Sequence, residues 1–170
     1  MQNDTLLNER DIDDVECVFE ALRNRGWHIT FAESCTAGLA AATFVGLPSA
    51  STVFDRSFVT YANEAKVDMV GVDPTDIERY GVVSEIVAGE MASGAAAAAH
   101  AEVGVGISGI AGPDGGSESK PVGMVCFGYY VKGSLSTETV YFGNIGRNAV
   151  RESSVRRVFA MLRRLLAEKD

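Results

Sequence analysis

The chain has 170 residues and a formal charge of −8, a length that suits one domain (residues 1–170) around one core. Its 46% hydrophobic content places it among globular proteins, its acidity excludes a general nucleic-acid binder, and no apolar run approaches the ~20 residues that span a bilayer. Three scattered cysteines with no CxxC pair and no secretory signal read as reduced thiols of a cytoplasmic protein. With His28 and His100 as the only histidines, a histidine-rich metal site and a serine-histidine triad both lack their raw material.

Ile12, Val15, Val18, Phe19 and Leu22 recur at helical spacing, and Gly26 ends the segment, so the chain opens with a helix. WHITFA (27–32) reads as a short strand and AGLAAATFVG (37–46) as a small-residue helix stopping before Pro48. SFVTYA (57–62) is β-prone; Asn63 is then expected to cap a short helix containing EAKVDMVG, and Asp73-Pro74 to open another. Ser84 caps a long alanine-rich helix whose small residues suit close packing on a sheet. EVGVGISG (102–109) alternates bulky residues with glycine and serine, leaving one strand face bare for a helix. MVCFGYYV and STETVYFG form a hairpin around Lys132-Gly133, and a last helix starts at about Arg147. Helices alternating with strands and one late hairpin indicate a three-layer α/β fold with a mixed sheet.

The stretch ESCT (33–36) falls where a strand ends and a helix begins, the usual ligand position in an open α/β sheet. Ser34 is the candidate nucleophile there; the plainer alternative is that Ser34 or Thr36 only caps the helix, and Cys35 is either a rival nucleophile or a small buried apolar residue. Lys66 lies in the first turn of its helix, where the dipole disfavours an ammonium ion, and a neutral lysine can take a proton from serine. The alternative is a solvated lysine. Tyr61 could assist the pair or simply pack. GVGISG (104–109) matches GxGxxG, but Pro113 and Gly115-Gly116 follow where a helix must start, so a dinucleotide site is rejected.

The loop IAGPDGGSESKPVG (110–123) is either a passive turn or an anion cradle, with the amides around Gly109, Gly112, Gly115 and Gly116 and the side chains of Ser108, Ser117 and Lys120 as donors. The apolar stripe of the last helix extends backwards by fours to Arg151 and Arg147, which therefore need a negative partner, a ligand phosphate or a protein carboxylate.

AESCTAGL, FDRSFVTYANEAK, YGVVSE and SGIAGPDGGSESKPVG, in this order and spacing over residues 8 to 166, together resemble the C-terminal domain family of competence/damage-inducible protein A (CinA). The family's two glycines after ESCT are Ala37 and Gly38 here, and its GDR-type segment appears as GNIGR. The resemblance implies a three-layer α/β/α sandwich with a mixed, mostly parallel sheet, in a cytoplasmic homo-oligomer. It also implies an amidohydrolase of pyridine nucleotide salvage that converts nicotinamide mononucleotide to nicotinic acid mononucleotide and ammonia, without metal or other cofactor. Carried over by motif, Ser34 is the nucleophile, Lys66 its base and Tyr61 an assisting hydroxyl; Thr36, Gly38, Ser108 and the glycine loop line the ligand site. Two other readings stay open: a catalytically silent nucleotide-binding module, and a scaffold or regulatory subunit.

Overall fold

The computed structural model describes residues 9–168. Its order is α1 (Glu9–Arg25), β1 (Ile29–Glu33), α2 (Leu39–Phe44), a 3-10 turn (Ala50–Thr52), β2 (Phe58–Val59), α3 (Asn63–Val70), α4 (Pro74–Tyr80), α5 (Glu85–Ala99), β3 (Val103–Gly109), β4 (Met124–Val131), β5 (Ser134–Tyr141) and α6 (Arg147–Ala167). The strands form one sheet in the order β2-β1-β3-β4-β5. β1 is parallel to both β2 and β3, and the β4/β5 hairpin is antiparallel, so every strand except β4 points the same way. The mixed, mostly parallel sheet is thus present.

Two apolar clusters make the three layers. On one face, α1, α2 and α6 bury Leu22, Phe44, Phe159 and Leu162 against Phe31, Val105 and Phe127. On the other, Val87, Met91 and Ala95 of α5 pack with Ala32, Val70 and Val72. The bare face of β3 explains how close α5 lies. A Cβ on Gly106 would stand 2.1 Å from the Ala88 carbonyl oxygen, and one on Gly104 2.2 Å from that of Ala92. Only hydrogen fits in the space left.

Cap residues read from the sequence occur where expected at two helices: Asp73 accepts from the Thr75 N–H, and Ser84 from the Val87 N–H. The third differs. Ala62 takes the extended cap conformation of α3 and Asn63 is already its first helical residue, with no side-chain cap. β2 is also shorter than its β-prone sequence, because after Thr60 donates to the Glu33 carbonyl the chain turns into α3. Among the described residues, no helix is long and apolar enough to cross a membrane.

Topology puts the chemistry-bearing segments on one rim. β1, β2 and β3 end there, β4 starts there, and β5 delivers α6 to the same rim, since Tyr141 pairs with Met124. The ESCT turn, Tyr61, the glycine loop and the start of α6 therefore meet at the carboxyl ends of the parallel strands.

Candidate active site

Ser34 is the first residue beyond β1, and its N–H still donates to the Ile107 carbonyl of β3 at 3.0 Å. The turn that follows is tight. Ala37 (φ 49°) and Gly38 (φ 92°) are both left-handed, so α2 starts at Leu39, later than the alanine-rich sequence suggests. At Ala37, where the family usually has glycine, that conformation strains the backbone.

Lys66 is wholly buried, and its Nζ stands 3.2 Å from Ser34 Oγ, 2.7 Å from the Thr60 carbonyl oxygen and 3.3 Å from that of Tyr61. Burial lowers its pKa below the ordinary 10.5, with an opposing contribution from the neighbouring Cys35. Lys66 is the fourth residue of α3, close to the helix start where the dipole also disfavours an ammonium ion, and desolvation is the leading cause of its lowered pKa. A neutral amine has two N–H bonds and one lone pair. In that form the two carbonyls would take the N–H bonds and the lone pair would be left for the Ser34 hydroxyl.

Cys35, the rival nucleophile, is buried, and its thiol is pushed up to about 12, chiefly by desolvation. It is a poor thiolate source. Thr36 is also buried, with its hydroxyl oxygen unpartnered among the described residues.

An open cleft of about 460 Å³, lined by residues that include Tyr61, Gly109, Gly112, Gly115, Lys120 and Arg147 but neither Ser34 nor Lys66, meets the pair through Tyr61, whose carbonyl accepts from Lys66 Nζ. Arg147 of α6 joins the two walls of the cleft. Arg147 donates to the Gly112 carbonyl at 2.8 Å and to the Tyr61 hydroxyl at 3.0 Å. Arg151 donates to the carbonyls of Cys35 and Thr36, both at 3.1 Å, and to the Asn148 side-chain oxygen at 3.2 Å. A phosphate or a carboxylate is the partner expected for these residues; among the described residues their protein partners are carbonyls of the ESCT turn and the glycine loop, the Tyr61 hydroxyl and the Asn148 side chain, with no carboxylate. α6 itself begins at Gly146 with no side-chain cap and no acidic residue in its first turn.

Other expected site residues are placed differently. The Tyr61 hydroxyl meets Arg147, while it is the Tyr61 carbonyl that meets Lys66. Ser108 is buried and donates to the Val82 carbonyl at 2.7 Å. Lys120, expected as a further anion donor of the loop, gives its ammonium to the carbonyls of Tyr80 and Val83, each at 2.7 Å, and so ties the glycine loop to the end of α4. A Cβ on Gly116 would stand 2.9 Å from the Val122 N–H nitrogen, which makes that glycine a packing requirement of the loop.

A further buried residue, without a candidate role in the sequence, shapes the nucleophile turn. Glu33 is fully buried, and its carboxylate accepts the N–H groups of Gly38, Ala40 and Ala41 at 2.9 to 3.0 Å. The available signal was a glutamate closing an apolar strand just before a helix whose start, Ala-Gly-Leu, offers no capping side chain.

Fold and site together define a three-layer α/β protein with a half-buried serine on a buried lysine at the carboxyl rim of its parallel strands. The chain belongs to the CinA family: the CinA C-terminal domain matches residues 13–166. It is 51% identical over 132 residues to the nicotinamide-nucleotide amidohydrolase PncC of Enterobacter agglomerans, covering 77% of this chain and 80% of that one. A CinA-like protein of Fervidobacterium nodosum is 43% identical over 158 residues, which are 93% of this chain; the match spans only 38% of that longer relative. The crystal structure of a competence/damage inducible protein from Agrobacterium tumefaciens superposes with a TM-score of 0.90 at 36% identity, covering 93% of this chain and 96% of the other.

Proposed function

We propose that this protein hydrolyses the carboxamide of nicotinamide mononucleotide, giving nicotinic acid mononucleotide and ammonia by acyl transfer through Ser34. The observation that carries this reading is the buried Lys66 amine against Ser34 Oγ, in a chain 51% identical to an amidohydrolase named for nicotinamide nucleotides. Lys66 takes the hydroxyl proton as Ser34 Oγ attacks the carboxamide carbon. The same proton passes to the departing nitrogen, and ammonia leaves. Water then attacks the ester, again giving a proton to Lys66, and the acid is released with Ser34 restored.

Two amides are available for the oxyanion. Between residues 34 and 41 every other N–H already has a partner: Ser34 on Ile107, Ala37 on Ser34, Leu39 on Thr36, and Gly38, Ala40 and Ala41 on Glu33. Among the described residues the Thr36 N–H donates to no group and the Cys35 N–H meets only its own thiol, and both follow the nucleophile directly. The uncapped start of α6, carrying Arg147, is suited to the phosphate. This extends to a place in pyridine nucleotide salvage and to self-association in the cytoplasm, the latter measurable by sedimentation.

Ammonia release from nicotinamide mononucleotide by the purified protein tests the activity; saturable binding with no ammonia would favour the silent nucleotide-binding reading. Arg147→Met should raise KM for the mononucleotide about tenfold or more, in line with the loss of a charge-assisted hydrogen bond, while kcat changes little. Steady-state kinetics with the nucleotide and with its dephosphorylated riboside check this: if both substrates lose equally, Arg147 does not read the phosphate.

A further inference from the structure

A buried carboxylate is costly unless its oxygens are satisfied, and capping a six-residue helix does not demand one, since a serine or aspartate at the cap position would serve. Here the cap position is Gly38, and the acceptor comes from Glu33 on the preceding strand. A cap supplied from that distance fixes more than the helix. It sets the separation between the end of β1 and the start of α2, and so shapes the turn from Ser34 to Ala37. That turn contains the left-handed Ala37, a conformation an alanine keeps only where its surroundings hold it.

The other end of Glu33 is also engaged. Its carbonyl accepts the Thr60 N–H at 2.8 Å, and the Thr60 carbonyl accepts from Lys66 Nζ. Nucleophile and base are therefore both referenced to one residue: Ser34 through the carboxylate-held turn, and Lys66 through the main chain.

Resting on the reading of Ser34 given above, we infer that Glu33 is a positioning residue for the reaction: its carboxylate holds the nucleophile turn and, by taking the amides of Gly38, Ala40 and Ala41, leaves those of Cys35 and Thr36 facing the oxyanion. Glutamine matches glutamate in shape but replaces one acceptor oxygen with an NH2 group, which cannot accept from an N–H. In Glu33→Gln, at least one of the three amides loses its partner and the turn loses its register.

The test compares wild type with Glu33→Gln by steady-state ammonia release, by the rate at which a fluorophosphonate labels Ser34, and by hydrogen exchange of the turn amides. The expected result is a fall in kcat of about 100-fold, the scale of one lost oxyanion donor, with KM within about twofold. Exchange at Gly38, Ala40 and Ala41 quickens while the β1 and β3 amides stay protected, and labelling of Ser34 slows by a similar factor. Faster exchange with unchanged kcat and labelling would make Glu33 a helix cap only and overturn the inference; so would unchanged exchange. If wild type releases no ammonia, the mononucleotide reading fails, yet the labelling rates still decide the role of Glu33. Absence of wild-type labelling at Ser34 overturns both. Should Glu33→Gln not fold, Glu33→Asp, which keeps the charge but falls short of the amides, is judged by the same three readouts.

Discussion

Ser34→Ala should abolish ammonia release, a loss of about 10⁴-fold or more, and Lys66→Met should lower it by about 10² to 10⁴. Neither loss reflects weaker binding, because Lys66 is buried behind Ser34 and spends its contacts on Ser34 Oγ and two carbonyls. The pH dependence separates the two variants from a general loss of structure. Only neutral Lys66 can accept the proton, so kcat/KM climbs with pH through the burial-lowered pKa of that amine and then levels. The same group makes stability depend on pH. Between the folded pKa and the ordinary 10.5, the unfolded chain holds a proton that the folded one has shed, so stability rises with pH across that window. Below the window both states carry the charge and the burial cost is fully present; above it both are neutral. Denaturant titrations at several pH values should show this slope in wild type and not in Lys66→Met. A slope that survives the substitution would mean another group titrates there.

The order of helices and strands was legible because each element carries its own period: 3.6 in α6, and alternation with glycine in β3. Ser34 and Lys66 were legible for a different reason, their position at the ends of elements. What escaped depends on contacts between segments far apart in sequence. Nothing near Lys66 in the chain announces its burial against Ser34, so desolvation, the leading cause of its lowered pKa, is not legible there. The protein partners of Lys120 and Ser108 are not legible in the sequence because Tyr80, Val82 and Val83, which accept from them, lie 26 to 40 residues away. Arg147 and Arg151 were correctly marked as requiring partners, but main-chain carbonyls leave no trace in side-chain chemistry. Glu33 was overlooked because its acceptor role concerns amides five to eight residues ahead, in a turn whose left-handed residues include an alanine.

Gly106→Ala should destabilise the fold by about 3 kcal/mol, the upper range for overpacking a close interface, lowering the melting temperature by about 6 to 12 °C at this chain length. The added methyl would meet the Ala88 carbonyl oxygen at 2.1 Å, and the nearest atoms on α5 also include the Ala92 nitrogen at 2.8 Å, so no side-chain rotation relieves it. A Cβ on Gly128, the register partner of Gly106 on β4, would stand 2.2 Å from the same carbonyl oxygen. Either substitution forces α5 to retreat, and once it has retreated the second methyl finds space already open. The double substitution Gly106→Ala with Gly128→Ala should therefore cost clearly less than the sum of the two, measured by thermal or denaturant unfolding. Strict additivity would show that α5 does not move as a body. The displacement also reaches the chemistry: Ser34 is tied to the Ile107 carbonyl, one residue beyond Gly106, so β3 cannot shift from α5 without carrying the nucleophile away from Lys66. Turnover in Gly106→Ala should consequently fall even well below its melting temperature, where the chain is still folded.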